Sequence, residues 1–182
     1  VLGAGAVVLL GGSDDDGDTG GEAASAGRHA LVSTVNNNPG VNVFYGTSCT
    51  GLRGSWFLNI VQGGGSDARH AAYYLRWSFS AADDVARPGG RITISGGAGE
   101  PPTATLEDGE ITLAGTRSDG SPVSGTGQLE VRLTGTGDEP TLTISQTGLD
   151  EAIGALGLAS PFSAGGRPLT VPVKLVDEVS GC

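Results

Sequence analysis

The sequence predicts an all-β protein: an antiparallel β-sandwich, or barrel-like arrangement, of about eight strands with one short helix near residues 149–158. Three observations carry this. From Val41 onward apolar residues recur at alternate positions, the period of a strand with one buried face. The 33 Gly and 9 Pro are too many for a helical chain and fall between the alternating runs, where tight turns belong. The runs themselves are rich in Val, Ile and Thr, side chains that suit a pleated surface.

The elements follow in order. Val41, Val43 and Tyr45 alternate with Asn42 and Phe44, and Trp56, Leu58 and Ile60 alternate with Phe57, Asn59 and Val61. The clearest strand sets Tyr73, Leu75, Trp77 and Phe79 against Tyr74, Arg76, Ser78 and Ser80. Ile92 and Ile94 form a short strand between glycine-rich turns. Ala104 and Leu106 then meet Ile111 and Leu113 across Asp108-Gly109, a dipeptide suited to the positive φ angles of a type I′ hairpin turn. A looser hairpin runs from Leu129, Val131 and Leu133 through residues 135–138 to Leu142 and Ile144. Leu149, Ile153 and Leu156, with acids at 150 and 151, mark the helix. The last strand alternates Leu169, Val171, Val173 and Leu175, and Pro172 within it lacks an N–H. That strand is expected at a sheet edge or bulged.

The chain divides at residues 12 and 27. Residues 1–12 are wholly apolar or Gly, too few to span a bilayer alone, which takes roughly 20. They suit a signal-peptide h-region or the outer end of a membrane anchor. Residues 13–27 form an acidic, low-complexity linker, with Ala24-Ser25-Ala26 as a small-residue cleavage site. Its aspartates at 14, 15, 16 and 18 do not spell a calcium loop, because Thr19 and Ser25 stand where Gly and Glu are needed. Residues 28–182 are the β-sandwich domain. A formal charge of −10 argues against a nucleic-acid partner and against adsorption to anionic lipid, leaving membrane contact to the N-terminal segment alone. Nine Arg against one Lys, with no Met, is a bias of GC-rich genomes, actinobacterial before haloarchaeal.

An exported layout changes the meaning of the two cysteines. Cys49 and Cys182 are expected to pair, as an even number does in an oxidising compartment. Cys49-Thr50, then Asn59-Ile60, Gly63-Gly64, Gly- and Thr-rich strands and a final Cys182 resemble the LpqH-type secreted lipoproteins of mycobacteria. The resemblance implies a small envelope-associated β-sandwich without known catalysis. Leu10-Gly11-Gly12-Ser13 departs from a lipobox at its last residue, so no lipid anchor is expected.

Eight of the nine aromatics lie between Phe44 and Phe79, six of them as adjacent pairs. Neighbours on a strand point to opposite faces, so one member of each pair leaves the core. The richer alternation sends Tyr45, Trp56, Tyr73, Trp77 and Phe79 inward. Phe44, Phe57, Asn59, Tyr74 and Arg76 then share the other face as the candidate ligand-binding surface, suited to a glycan, a lipid or a protein of the cell envelope. The competing and favoured reading is that a loop, the helix or the segment from Ala30 to Val35 covers that face. No catalytic residues, metal ligands or cofactors are expected. Ser66, Asp67 and His70 spell a serine triad only in sequence, His29 borders the linker, and adjacent Asp83 and Asp84 diverge on a strand. The expectation is an exported, non-enzymatic binding or surface-presentation protein. Its alternatives are a carrier of a small hydrophobic ligand held between the sheets and a self-associating assembly module.

Overall fold

The computed structural model describes residues 28–32, 41–62, 68–135, 140–162 and 167–182, with backbone alone for 41–45. The apolar segment and acidic linker of residues 1–27 lie outside the described residues. Two sheets pack face to face without closing into a barrel. Thirteen strands are found among the described residues, against the eight or so expected, because short strands escape periodicity and the final run is divided.

The first sheet contains β1 (His29–Val32), β2 (Val41–Ser48), β3 (Ser55–Gln62), β4 (Arg69–Ser78), β6 (Gly89–Ser95), β11 (Leu158–Ala159) and β13 (Lys174–Val176). The second contains β5 (Val85–Ala86), β7 (Thr103–Glu107), β8 (Glu110–Thr116), β9 (Pro122–Thr134), β10 (Thr141–Thr147) and β12 (Leu169–Pro172). Pairing is antiparallel except for β11, which runs parallel to β4. Of the segment from Ala30 to Val35, one of the three elements that could cover the face, residues 30–32 enter the first sheet as part of β1, between β2 and β13, and residues 33–35 lie outside the described residues.

Between the sheets the alternation is obeyed. Trp56, Tyr73, Leu75 and Trp77 from the first sheet are buried against Ile111, Val131 and Ile144 from the second. Each such side chain contributes roughly 1.5–3 kcal/mol when withdrawn from water. Trp56 and Trp77, paired across β3 and β4, stack at 5.7 Å with their planes 5° apart. The Trp56 indole N–H donates to the Leu52 carbonyl at 2.7 Å, keeping the polar end of the ring satisfied. Tyr73 reaches across the core to donate to Gln146 Oε1 at 2.7 Å. Burial pushes this phenol up to about 12, with the neighbouring Ser160 hydroxyl opposing the rise.

Three local features explain the connections. Asp108 and Gly109 hold φ of 45° and 77°, the left-handed pair a type I′ turn demands, and they join β7 to β8 as the sequence predicts. The final run crosses between sheets: β12 pairs with β10 and β13 with β1, the break falling at Val173. Pro172 ends β12, which pairs only with β10 and lies at the edge of its sheet. The helix α1 (Asp150–Ala155) occupies the mouth of the sandwich, seated on two side-chain-free positions of β9. A Cβ on Gly125 would lie 2.7 Å from Ala152, and one on Gly127 would lie 2.6 Å from Leu149. Beyond it Gly157, at φ 60°, turns the chain into β11.

Candidate functional site

The outward face of the first sheet is built by register. β3 and β4 set Phe57 opposite Arg76 and Asn59 opposite Tyr74. β4 and β6 continue the rows, with Gly89 opposite Arg76 and Arg91 opposite Tyr74. Cross-strand partners share a face, so two adjacent rows present Phe57–Arg76 and Asn59–Tyr74–Arg91 outward. Phe57 is 38 % exposed, the one large exposed hydrophobic among the described residues. Arg76 and Arg91 are exposed, while Asn59 and Tyr74 are half-buried. The Arg91 guanidinium sits over the Tyr74 ring, 4.8 Å from its centroid, in a cation–π contact. Arg91 was not among the residues singled out from sequence. The Ile92/Ile94 alternation, which sends 91 and 93 outward, is the signal that locates it.

β2 breaks the expected pattern. Its register with β3 shifts between Val43 and Tyr45, so Tyr45 stands opposite Asn59 and Gly46 opposite Leu58, with Phe44 at the irregularity. An extra residue in one strand resets the parity beyond it. The assignment of Tyr45 to the core and Phe44 to the outer face concerns side chains that lie outside the described residues. The remaining four candidates, Phe57, Asn59, Tyr74 and Arg76, lie together.

The charge on this face differs from that of the chain. β2, β3, β4 and β6 contain no Asp or Glu, although the chain carries 20. Four other arginines are tied down, while Arg87 and Arg167 are exposed on other segments. Arg28 donates to the Leu175 carbonyl at 2.9 Å, Arg69 to the Ala98 carbonyl at 2.7 Å, Arg53 to Asp84 at 2.8 Å, and Arg132 to Glu130 at 2.9 Å. Among the described residues, Arg76 and Arg91 donate no hydrogen bond and form no ion pair.

Other candidate chemistry is dispersed. Ser66 and Asp67 lie outside the described residues. His70 pairs along β4 with Ser95 and Ala159, and His29 pairs on β1 with Val176, with β3 and β2 lying between β1 and β4. Asp83 accepts from the Ser80 hydroxyl at 2.9 Å within its own loop, and Asp84 is held by Arg53 of the turn before β3, so both serve to fix loops. Among the described residues no three His, Cys, Asp or Glu side chains gather into a metal-binding cluster. An open groove of about 820 Å³ beside the end of α1 is lined by Arg69, the 97–100 loop and Arg117. There Arg69 is spent on the Leu156, Ala98 and Glu100 carbonyls, holding the groove's two walls together. Inside the sandwich the apolar gap beneath Leu149 and Ile153 measures about 10 Å³, room for about one water.

Cys49 and Cys182 form a disulfide with their Cα atoms 5.5 Å apart. Both are exposed. The bond joins the end of β2 to the segment after β13, with β1 paired to both strands between. Disulfides persist in oxidising compartments. Among the described residues no helix is long and apolar enough to cross a membrane. No protein-family model, curated protein or solved structure matches this chain.

Proposed function

We propose that this is an exported cell-envelope protein that acts by binding, without catalysis, through the outer face of its first sheet. One observation carries the reading: Phe57 and Arg76 stand exposed side by side on a sheet face whose strands lack carboxylates. An exposed large aromatic is stabilised when a ligand covers it, and a guanidinium without a carboxylate partner is open to an anionic one. The compartment is supported by the disulfide, by the apolar segment and acidic linker ahead of the domain, and by the resemblance to LpqH-type envelope antigens. The 10 Å³ interior gap favours a surface site over carriage of a ligand between the sheets.

The test is cosedimentation of the purified protein with envelope fragments of its native host. Wild type is expected to pellet with the fragments, and Phe57→Ala with Arg76→Gln to stay in solution. Equal pelleting of wild type and variant would move the site off this face. Failure of wild type to pellet would remove the envelope-binding role. A concentration-dependent dimer lost in the variant would instead make the face a self-association surface.

A further inference from the structure

We propose that the occupant of this face is an acidic polysaccharide, a chain of sugars bearing carboxylates; the inference rests on reading the face as a binding site. The chain's net charge is −10, yet the face presents two arginines with no acid on its four strands. Within a Debye length of about 8 Å a ligand on the face meets those guanidiniums before it meets the acids elsewhere. Guanidinium is the group suited to grip a carboxylate with two parallel hydrogen bonds. Tyr74 supports Arg91 from beneath, 4.8 Å from ring centroid to guanidinium, which leaves the N–H edges of that plane to a ligand. With the Tyr74 ring covered, Phe57 is the exposed platform against which the C–H face of a sugar ring can lie. Anion grip and ring platform stand on adjacent strands, Phe57 directly opposite Arg76, at the roughly 5 Å spacing of a sheet. Consecutive units of one chain can use both.

The same features disfavour other anionic partners. A protein interface is centred on a cluster of buried apolar side chains, and this face offers Phe57 alone among the described residues. An anionic bilayer presents an extended charged plane, which the whole −10 molecule must approach. A single polysaccharide strand touches only the face.

The experiment is native affinity electrophoresis of the full chain through gels containing polygalacturonate, with dextran as the neutral polymer and polyglutamate as the anionic peptide. Wild type is expected to be retarded by polygalacturonate, less as salt rises, and to migrate freely in the other two gels. Arg76→Gln and Arg91→Gln should each weaken retardation roughly ten-fold, the scale of one charge-assisted hydrogen bond. Phe57→Ala should weaken it as well. Arg132→Gln, which makes the same charge change on the other sheet, should leave it intact. All three face residues are exposed, and unchanged melting temperatures would show that the variants fold. Absence of retardation, equal retardation by dextran or polyglutamate, or equal behaviour of R76Q, R91Q and R132Q would overturn the proposal. Running the same variants through envelope cosedimentation separates the two levels. If polygalacturonate binding fails while Phe57→Ala still abolishes pelleting, the acidic polysaccharide falls and the binding face stands. If neither assay responds to the variants, both fall.

Discussion

Replacing both cysteines by serine should lower stability by about 3 kcal/mol, a figure that comes from two opposed entropies. The bond spans a sequence separation of 133, and closing a loop of that size restricts the unfolded chain by about 5 kcal/mol in the chain-entropy model. The native state recovers part of this when the bond is cut. Residues beyond β13 are exposed or half-buried, and their internal backbone bond runs from the Cys182 N–H to the Val179 carbonyl at 3.1 Å. Release of a tail held so lightly returns about 1 kcal/mol for each of roughly two residues. A net loss of about 3 kcal/mol corresponds to a melting temperature lower by about 6–12 °C for a domain of this size. Urea and thermal unfolding of the double variant, and of wild type with and without reductant, measure it. Cys182→Ser and truncation after Asp177 should cost the same, because Asp177 pairs with Arg28 at 3.5 Å and the residues beyond it contribute through the bond. A loss below 1 kcal/mol would refute the loop-entropy reasoning. A truncation much worse than Cys182→Ser would refute the account of the tail.

Other perturbations test the core, the helix seat and the hairpin. Tyr73→Phe leaves Gln146, 4 % exposed, without its donor and should cost about 1–3 kcal/mol in urea unfolding, most of it recovered when Gln146→Leu is added. In wild type the folded Tyr73 phenol titrates near 12 against an ordinary 10.0, so the unfolded chain loses its proton first. That stabilisation is whole below about pH 10 and about 3 kcal/mol of it is lost as pH rises through 12; the excess alkaline slope should be absent in Tyr73→Phe. Gly125→Val forces a side chain against Ala152 and should cost about 1–3 kcal/mol, with hydrogen exchange rising first in α1 and β11. Glu107 and Glu110 face each other across the Asp108-Gly109 turn, so Glu110→Lys should stabilise by up to about 1 kcal/mol at low salt and by less in 1 M salt, read by thermal melts.

The sequence foretold whatever depends on local sterics. Burial on alternate sides of a strand is enforced at every residue, so Trp56, Tyr73, Trp77 and Phe79 could be sent inward and Phe57 and Arg76 outward from spacing alone. Asp108-Gly109 could be read as a hairpin because few other dipeptides tolerate two positive φ angles. Features decided by distant partners were hidden. Nothing near Phe44 announces the register shift in β2, which is defined only against β3. The division of 169–176 between two sheets depends on β10 and β1 offering edges on either side of Val173. Gly125 and Gly127 read as interruptions of a strand until the helix they seat is in place.

The same distinction explains why one member of the candidate face, Arg91, was missed. Parity placed Phe57 and Arg76 correctly because each needs only its own strand. Arg91 matters through its neighbour: its guanidinium is held by the Tyr74 ring, and that contact exists only because β6 pairs with β4 in a register that sets 91 against 74. A shift of one residue would turn Arg91 inward and bring Ile92 to the surface, and Ile92, at 7 % exposed, belongs to the core. The burial of Ile92 therefore fixes the exposure of Arg91. An arginine on this face is held to its position by the packing on the other side of the sheet, so Ile92→Asn should weaken polygalacturonate retardation in a molecule whose face residues are all unchanged. If that variant folds and binds like wild type, the register does not position the guanidinium.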